Sequence, residues 1–144
     1  MILMDSDHLT VFKYTSGERS LRLRARLDAV VDEVVGTTVV NVEEQMRGWI
    51  SVLAKERQLR RQIAAYRELA HLFEFIRPFH IALLTDAAVD LFDQFGGIQI
   101  SKSDRKIAAI AIANNALLLT ANRRDYEQIP GLRFENWMDE PPAK

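Results

Sequence analysis

Met1-Ile2-Leu3-Met4-Asp5-Ser6-Asp7-His8 joins an apolar run to a polar turn at the start of the chain. The four apolar residues predict a short buried strand, and the apolar-periodic stretch from His8 to Tyr14 predicts a helix. Asp5 therefore lies where a strand gives way to a helix. Polar residues recur at comparable positions further along the chain, and this recurrence decides the fold.

The second such segment lies between residues 34 and 54. Val34 to Val40 is short and rich in β-branched residues, so it predicts a strand, and the pattern from Asn41 to about Ala54 predicts a helix. Glu44 is then expected in the first turn of that helix.

Two further polar residues occupy similar positions in the last third of the chain. Ser103 is predicted to cap a helix that contains the apolar stretch 107–113, which places Asp104 in its first turn. The run 116–120, Ala-Leu-Leu-Leu-Thr, predicts a buried strand that breaks into a turn containing Asn122.

Strands that alternate with helices predict a parallel sheet with right-handed crossovers. Ligands bind such sheets beyond the carboxyl ends of the strands, so the polar side chains at these positions should converge. Carboxylates at close quarters repel one another unless a cation compensates them. Oxygen ligands, with no Cys and no pair of His at metal-binding spacing, favour Mg²⁺ or Mn²⁺, and these ions suit phosphodiester hydrolysis.

The chain resembles PIN-domain ribonucleases of the VapC toxin kind. No single motif is decisive, but the order and spacing of the motifs are specific, and they run nearly from end to end. The segments that carry the resemblance are Met-Asp-Ser-Asp-His-Leu at 4–9, Glu-Gln-Met-Arg-Gly at 44–48, Ser-Asp-Arg-Lys-Ile-Ala-Ala at 103–109, Thr-Ala-Asn-Arg-Arg-Asp-Tyr at 120–126, Ile-Pro-Gly-Leu at 129–132 and Glu-Asn-Trp at 135–137.

The resemblance implies a PIN-like three-layer α/β/α sandwich around a mainly parallel sheet. It implies Asp5, Glu44 and Asp104 as metal-binding catalytic carboxylates, with Asn122 at a catalytic position that is often a fourth Asp. Because an amide adds no negative charge, a second metal ion is expected only if another acid compensates. The residues expected to support the site are Asp7, Thr120 and Asp125, and those expected to contact RNA phosphates are Arg105, Lys106, Arg123 and Arg124.

The implied activity is that of an endoribonuclease dependent on Mg²⁺ or Mn²⁺, in which a water made acidic by the metal attacks an RNA phosphodiester. Transfer RNA is the substrate expected from the family, with ribosomal and messenger RNA as open alternatives. A VapB-type antitoxin and a second copy of the chain are the expected protein partners. The N-terminus lacks a basic region and a long apolar run, so we expect no signal peptide or membrane span, and zero Cys suits the cytoplasm.

Other interpretations remain open. Taken singly, Asp5, Glu44, Asp104 and Asn122 are each common helix-start or turn residues that need no function. A phosphatase of the haloacid-dehalogenase kind also begins with a strand and an Asp-x-Asp segment, although no late Gly-Asp-x-x-x-Asp follows here. A degenerate PIN scaffold that binds RNA or protein without cleavage is the other alternative.

Composition is compatible with a single folded domain. The 144 residues include 48% hydrophobic residues, which argues against disorder, and a net charge of −1 means that RNA must be attracted by a local patch. We assign residues 1–138 to one PIN domain. The acidic, Pro-containing segment 139–144 is predicted to be a flexible tail.

Overall fold

The computed structural model describes residues 1–14 and 16–141 of the chain. The strands of the described part are β1 (Ile2–Met4), β2 (Val35–Thr38), β3 (His80–Ala82), β4 (Leu117–Leu119) and β5 (Arg133–Glu135). Its helices are α1 (Ser6–Lys13), α2 (Glu18–Asp28), α3 (Val39–Lys55), α4 (Leu59–Ile76), α5 (Asp86–Gln94), α6 (Lys102–Ala113) and α7 (Arg123–Tyr126).

All five strands are parallel, in the order β3-β2-β1-β4-β5. The first strand of the chain is therefore the centre of the sheet, with β2 on one side and β4 on the other. The carboxyl ends of these three strands are in register, because Met4 pairs with Thr37 and with Leu119. This arrangement confirms the predicted α/β class and the parallel sheet.

Both faces of the sheet are covered, which gives three layers. Successive side chains of a strand point to opposite faces, and β1 shows this alternation. Leu3 belongs to the core formed with α6, whereas Ile2 and Met4 belong to the core that contains Leu9 of α1 and Leu23 of α2. The uninterrupted apolar runs of β1 and β4 follow from this burial on both sides.

The start of α3 differs from the prediction. The strand ends at Thr38, and the helix begins at Val39, because the Thr38 hydroxyl caps the helix by accepting a hydrogen bond from the Asn41 backbone N–H. Glu44 is thus the sixth residue of α3 and lies in its second turn, where the sequence had placed it in the first.

The start of α6 was also predicted wrongly. Ser101 is the N-cap, since its hydroxyl accepts a hydrogen bond from the Asp104 N–H at 3.1 Å, and Ser103 lies inside the helix. The expected position of Asp104 is unaffected, because it remains in the first turn of α6.

Gly36 allows β2 and β3 to pair closely. A Cβ atom at this position would collide with the His80 backbone carbonyl of the neighbouring strand. Glycine here is therefore required by the approach of two backbones.

The C-terminal segment contacts α2 in the part that the structure describes. Asp139 accepts a hydrogen bond of 2.9 Å from Arg19 Nε and one of 2.8 Å from Asn136 Nδ2. Residues 142–144 of the predicted tail lie outside the described residues. Within the described ranges, no helix has the length and apolar character needed to cross a membrane.

Candidate active site

Asp5 is a nearly buried carboxylate at the carboxyl end of β1. Its Oδ1 accepts hydrogen bonds from the Ser6 backbone N–H at 2.9 Å and from Asn41 Nδ2 at 2.8 Å. Its Oδ2 accepts a hydrogen bond of 2.8 Å from the hydroxyl of Thr120, which directly follows β4. Donors from two neighbouring segments thus hold both oxygens in a fixed orientation.

Asn41 links Asp5 to Glu44. The Thr38 hydroxyl donates to Asn41 Oδ1 at 2.7 Å, which turns the amide nitrogen toward the carboxylates. Nδ2 lies 2.8 Å from Asp5 Oδ1, 3.1 Å from Ser6 Oγ and 3.4 Å from Glu44 Oε1. Since an amide nitrogen carries two N–H groups, it is shared among three acceptors. The Asn41 side chain is fully buried, so this sharing takes place away from bulk water.

Ser6 and Tyr126 also contact the acidic residues. The Ser6 hydroxyl donates to Glu44 Oε1 at 3.3 Å, and the Tyr126 hydroxyl donates to Asp104 Oδ1 at 3.2 Å. Tyr126 is fully buried although it carries a polar hydroxyl. Ser6, Asn41 and Tyr126 were not predicted from the sequence as residues of the site. Each of them lies within or next to a segment that resembles the PIN family, and this was the only sign in the sequence of a role in the site. Their hydrogen-bond partners lie far away along the chain.

The predicted metal-binding residues have perturbed acidities. Burial, followed by repulsion from Asp7, raises the pKa of Asp5 above its ordinary value of 3.8, against the hydrogen bonds that it accepts. Burial and then the charge of Asp5 raise the pKa of Glu44, with a further contribution from Asp104. Burial is also the main cause of the raised pKa of Asp104, to which the charges of Asp125 and Asp7 add.

These shared electrostatic effects show that the acids lie within one field of negative charge. We call the group formed by Asp5, Asp7, Glu44, Asp104 and Asp125 the acidic pocket. Carboxylates whose pKa is raised by burial and mutual repulsion favour a bound proton or a bound cation.

Asp7 differs from the other acids of the pocket. Burial raises its pKa, but hydrogen bonds from His8 and from the Ala121 N–H outweigh that effect, so the pKa of Asp7 is lowered overall. His8 Nδ1 lies 2.6 Å from Asp7, and His8 Nε2 accepts a hydrogen bond of 3.1 Å from the Trp137 N–H. A ring that accepts at Nε2 carries its proton on Nδ1, so His8 donates to Asp7. His8 is therefore a buried residue that orients Asp7.

Asn122 begins the short helix α7, next to the pocket. Its amide nitrogen donates to Asp125 Oδ2 at 3.1 Å, and its backbone N–H donates to the Thr120 hydroxyl at 3.1 Å. The structure thus places Asn122 against Asp125, and both are connected to Asp5 through Thr120.

The predicted RNA-contacting residues fall into two groups. Arg105 stacks on Phe92, with 3.9 Å between its guanidinium carbon and the ring centroid, and it donates to the Phe95 carbonyl at 3.5 Å. Lys106 is half-buried, whereas Arg123 and Arg124 are exposed on α7.

Two grooves flank the acidic pocket. The larger, of about 700 Å³, is lined by Thr120 and Ala121 together with the exposed cations Arg26 and Arg123. The smaller, of about 420 Å³, begins at Ser6 and Glu44 and runs between α1 and α3. An extended ligand that crossed the pocket could therefore occupy both grooves.

No three His, Asp or Glu side chains of residues 1–14 and 16–141 stand close enough together to hold a metal ion as the side chains are placed. The donor set itself suits a hard divalent cation, because it consists of carboxylate oxygens with an amide and two hydroxyls beside them. A cation would also relieve the repulsion that raises the pKa of Asp5 and Glu44.

Comparison with known proteins places this site in context. No family model matches the chain. A segment of 41 residues is 46% identical to Ribonuclease VapC2 of Rickettsia felis. That segment spans 28% of this chain and 31% of the relative, so the match extends over about a third of the relative's length.

Solved structures match over almost the whole chain. VapBC2 of Rickettsia felis, bound to a DNA fragment from its promoter, aligns with a TM-score of 0.69 and 19% identity over 95% of this chain and 99% of the other. DNA-bound VapBC of Salmonella typhimurium aligns with a TM-score of 0.72 and 22% identity over 95% and 99% of the two chains. At this level of identity the likeness shows the fold. The predicted resemblance to VapC-type PIN proteins is thereby confirmed, and the chain has the PIN-like α/β/α fold of the VapC structures.

Proposed function

We propose that this protein is an endoribonuclease that requires Mg²⁺ or Mn²⁺ and acts as the toxin of a VapBC-type toxin-antitoxin pair. One observation carries the proposal: Asp5, Glu44 and Asp104 lie in one acidic pocket with raised pKa values, at the edge of the sheet where parallel strands end. Ligand sites of open parallel sheets lie at that edge.

Asp5, Glu44 and Asp104 would hold the metal. When bound, the ion would supply an acidified water and neutralise charge on the phosphate that is attacked. Asp5 is the most rigid ligand of the three, because it accepts hydrogen bonds from Ser6, Asn41 and Thr120. Glu44 is held by weaker contacts of 3.3 and 3.4 Å and can shift toward the other carboxylates.

The remaining residues of the pocket orient these ligands. Asn41 holds Asp5 and Glu44 on a common side, and Tyr126 donates to Asp104. Asp7, whose lowered pKa keeps it ionised at neutral pH, accepts from the Ala121 N–H and so fixes the turn that leads into α7.

Substrate phosphates would bind on the α7 side of the pocket. Arg26 and Arg123 both line the larger groove and are exposed, so their guanidinium groups can pair with a phosphate. Arg123 lies 3.5 Å from Glu127, and this exposed ion pair is weak enough to be exchanged for a phosphate. The net charge of −1 makes such a local cationic patch necessary.

The partners proposed for the protein follow from its likeness to VapBC complexes. We propose a VapB-type antitoxin, a homodimer, and RNA as the substrate, with transfer RNA as the first class to test. Two of those VapBC structures also contain DNA, and we propose no DNA binding for this chain on that basis.

The test is cleavage of a mixed pool of transfer and ribosomal RNA by purified protein, in Mg²⁺ or Mn²⁺ and in EDTA. Asp5→Ala and Asp104→Ala should each lose cleavage while remaining folded by circular dichroism. Glu43→Gln is the matched control, because Glu43 is an exposed acid that pairs with Arg47. Discrete products that require metal and both aspartates support the proposal.

Intact RNA in both metals, from folded protein free of antitoxin, would instead favour a scaffold that binds without cleaving. Full activity in either aspartate variant would remove that residue from the proposed site.

A further inference from the structure

The smaller groove leads away from the acidic pocket between two helices. The residues of its lining that matter here are Ser6, Lys13 and Tyr14 on the α1 side and Glu44, Gly48 and Trp49 of α3. Ser6 and Glu44 also contact each other in the pocket, at 3.3 Å. The groove is therefore continuous with the proposed site of cleavage.

Gly48 is a glycine that the fold itself does not require. It lies inside α3, and among the described glycines the positive φ angles belong to Gly17 and Gly131. A Cβ atom at Gly48 would have no neighbour within 4 Å. Glycine within a helix is destabilising relative to alanine, and here the missing side chain leaves open space in the groove. Gly48 is four residues beyond Glu44, about 6 Å further along the helix axis.

Two aromatic rings and one cation line the same groove as Gly48. Trp49 is half-buried, and Tyr14 is 57% exposed. Lys13 Nζ lies 6.0 Å from the centroid of the Trp49 ring and 3.3 Å from Glu68. An indole face with an ammonium group beside it suits a planar ring that is attached to a phosphate.

We propose that this groove binds an unpaired nucleobase next to the phosphate that is cleaved, stacked on Trp49 in the space above Gly48. The inference rests on the proposed ribonuclease function and deepens it. Lys13 lies where it can approach the phosphate on the far side of that nucleotide. Base stacking on an aromatic side chain requires an exposed base face, so the groove selects single-stranded RNA, such as a loop.

Binding can be measured separately from cleavage. The chain has two Trp residues, so Trp137→Phe leaves Trp49 as its one tryptophan. A six-nucleotide unstructured RNA, titrated in EDTA, should quench the fluorescence of Trp49, and a 3′-labelled copy gives Kd by anisotropy. Both Gly48→Ala and Gly48→Leu replace a helical glycine and should stabilise α3. Because only the leucine side chain is large enough to fill the groove, the comparison shows whether a change in RNA binding comes from blocking the groove or from stabilising the helix.

We expect Gly48→Leu to remain folded, to abolish the quenching, and to raise Kd by roughly 5- to 150-fold, the range for loss of one stacked base. Gly48→Ala should change Kd much less. By anisotropy, Trp49→Ala should weaken binding to a similar extent as Gly48→Leu, and Trp49→Phe should restore most of it. Cleavage by the unmodified protein in Mg²⁺, measured in parallel, tests the ribonuclease proposal independently.

Unchanged quenching and Kd in folded Gly48→Leu would overturn the nucleobase proposal even if cleavage persists. So would loss of antitoxin binding by Gly48→Leu with RNA binding intact, since the groove would then be a protein-docking surface. Equal binding of the hexanucleotide and a blunt RNA duplex would also contradict it.

Discussion

Glu44→Gln should make the metal-free protein more stable. Asp5 Oδ1 and Glu44 Oε1 lie 2.8 and 3.4 Å from the same Asn41 nitrogen. These two oxygens are therefore at most about 6 Å apart, a distance at which two unit charges repel by roughly 3 kcal/mol at an effective dielectric constant near 20. Because Glu44 is half-buried and partly screened by solvent, we expect a gain of about 1–2 kcal/mol on its neutralisation. For a chain of this size, that gain raises Tm by about 2–8 °C.

The sign follows from the raised pKa of Glu44. Its folded state holds a proton more tightly than the unfolded chain does, so ionised Glu44 lowers stability once the pH exceeds its ordinary pKa of 4.5. The advantage of Glu44→Gln should therefore be present at pH 7, should fade as the pH falls through the raised pKa of Glu44 toward 4.5, and should be absent below 4.5. The Gln oxygen can still accept the hydrogen bonds from Ser6 and Asn41, so little else changes.

The assay is calorimetric or fluorescence-monitored unfolding in EDTA at pH 7 and pH 4, repeated with increasing Mg²⁺. Since a ligand at a given concentration stabilises the folded state more when it binds more tightly, Glu44→Gln should show a smaller rise in Tm with Mg²⁺ than the unmodified protein. Glu43→Gln, which removes an exposed ion pair of 2.7 Å with Arg47, should lose about 0.3–0.5 kcal/mol. A lower Tm for Glu44→Gln in EDTA at pH 7, or an unaltered response to Mg²⁺, would refute the reasoning.

Four further substitutions test other parts of the structure. Asn41→Ala removes the buried donor shared by Asp5 and Glu44, so we expect the free energy of unfolding, measured in urea, to fall by about 1–3 kcal/mol. The rate of RNA cleavage should also fall when variants are compared at equal folded fraction. An unchanged rate would argue against a positioning role for Asn41. Gly36→Ala should lower Tm sharply, because the added methyl group would collide with the His80 carbonyl. Gly48→Ala should raise Tm, because alanine in a helix stabilises the fold by up to about 1 kcal/mol relative to glycine. Shifts of Tm in the same direction for both variants would contradict these two roles. Tyr126→Phe removes the hydrogen bond from Tyr126 to Asp104 and should lower the free energy of unfolding by about 0.5–1.5 kcal/mol. Tm and the rate of RNA cleavage are the measurements, and no change in either would show that this hydrogen bond is unimportant.

The three central strands of the sheet and the position of Asp5 were predictable because they depend on short-range patterns. Apolar runs buried on both faces identify β1 and β4, and the parallel arrangement then places their carboxyl ends together. The segment 1–7 alone is enough to predict that Asp5 lies at the carboxyl end of a strand.

The errors came from places where capping competes with propensity. Val39 and Val40 are β-branched and favour a strand, but the Thr38 hydroxyl caps the Asn41 N–H and starts the helix two residues earlier than those valines suggest. Ser101 and Ser103 are equally good caps by residue type. Only the path of the backbone makes Ser101 the one that accepts from Asp104.

The partners of the acids could not be predicted locally. Asn41 meets Asp5 across 36 positions of sequence, and Tyr126 meets Asp104 across 22. The hydrophobic pattern predicts that such residues are buried, but it does not say which polar group each of them faces.

Asp5 shows why a structural role and a functional role need not be alternatives. One oxygen accepts from the Ser6 N–H at the start of α1, as an ordinary helix cap would, and the same oxygen accepts from Asn41. A cap alone has no need of burial, a third donor on the other oxygen, or neighbouring acids that raise its pKa. The burial and the neighbouring acids lower the stability of the metal-free protein, whereas the third donor, Thr120, offsets part of that cost by stabilising the ionised carboxylate. The cap fixes where the carboxylate points, and the acids around it raise its pKa, which is what the proposed cation site requires.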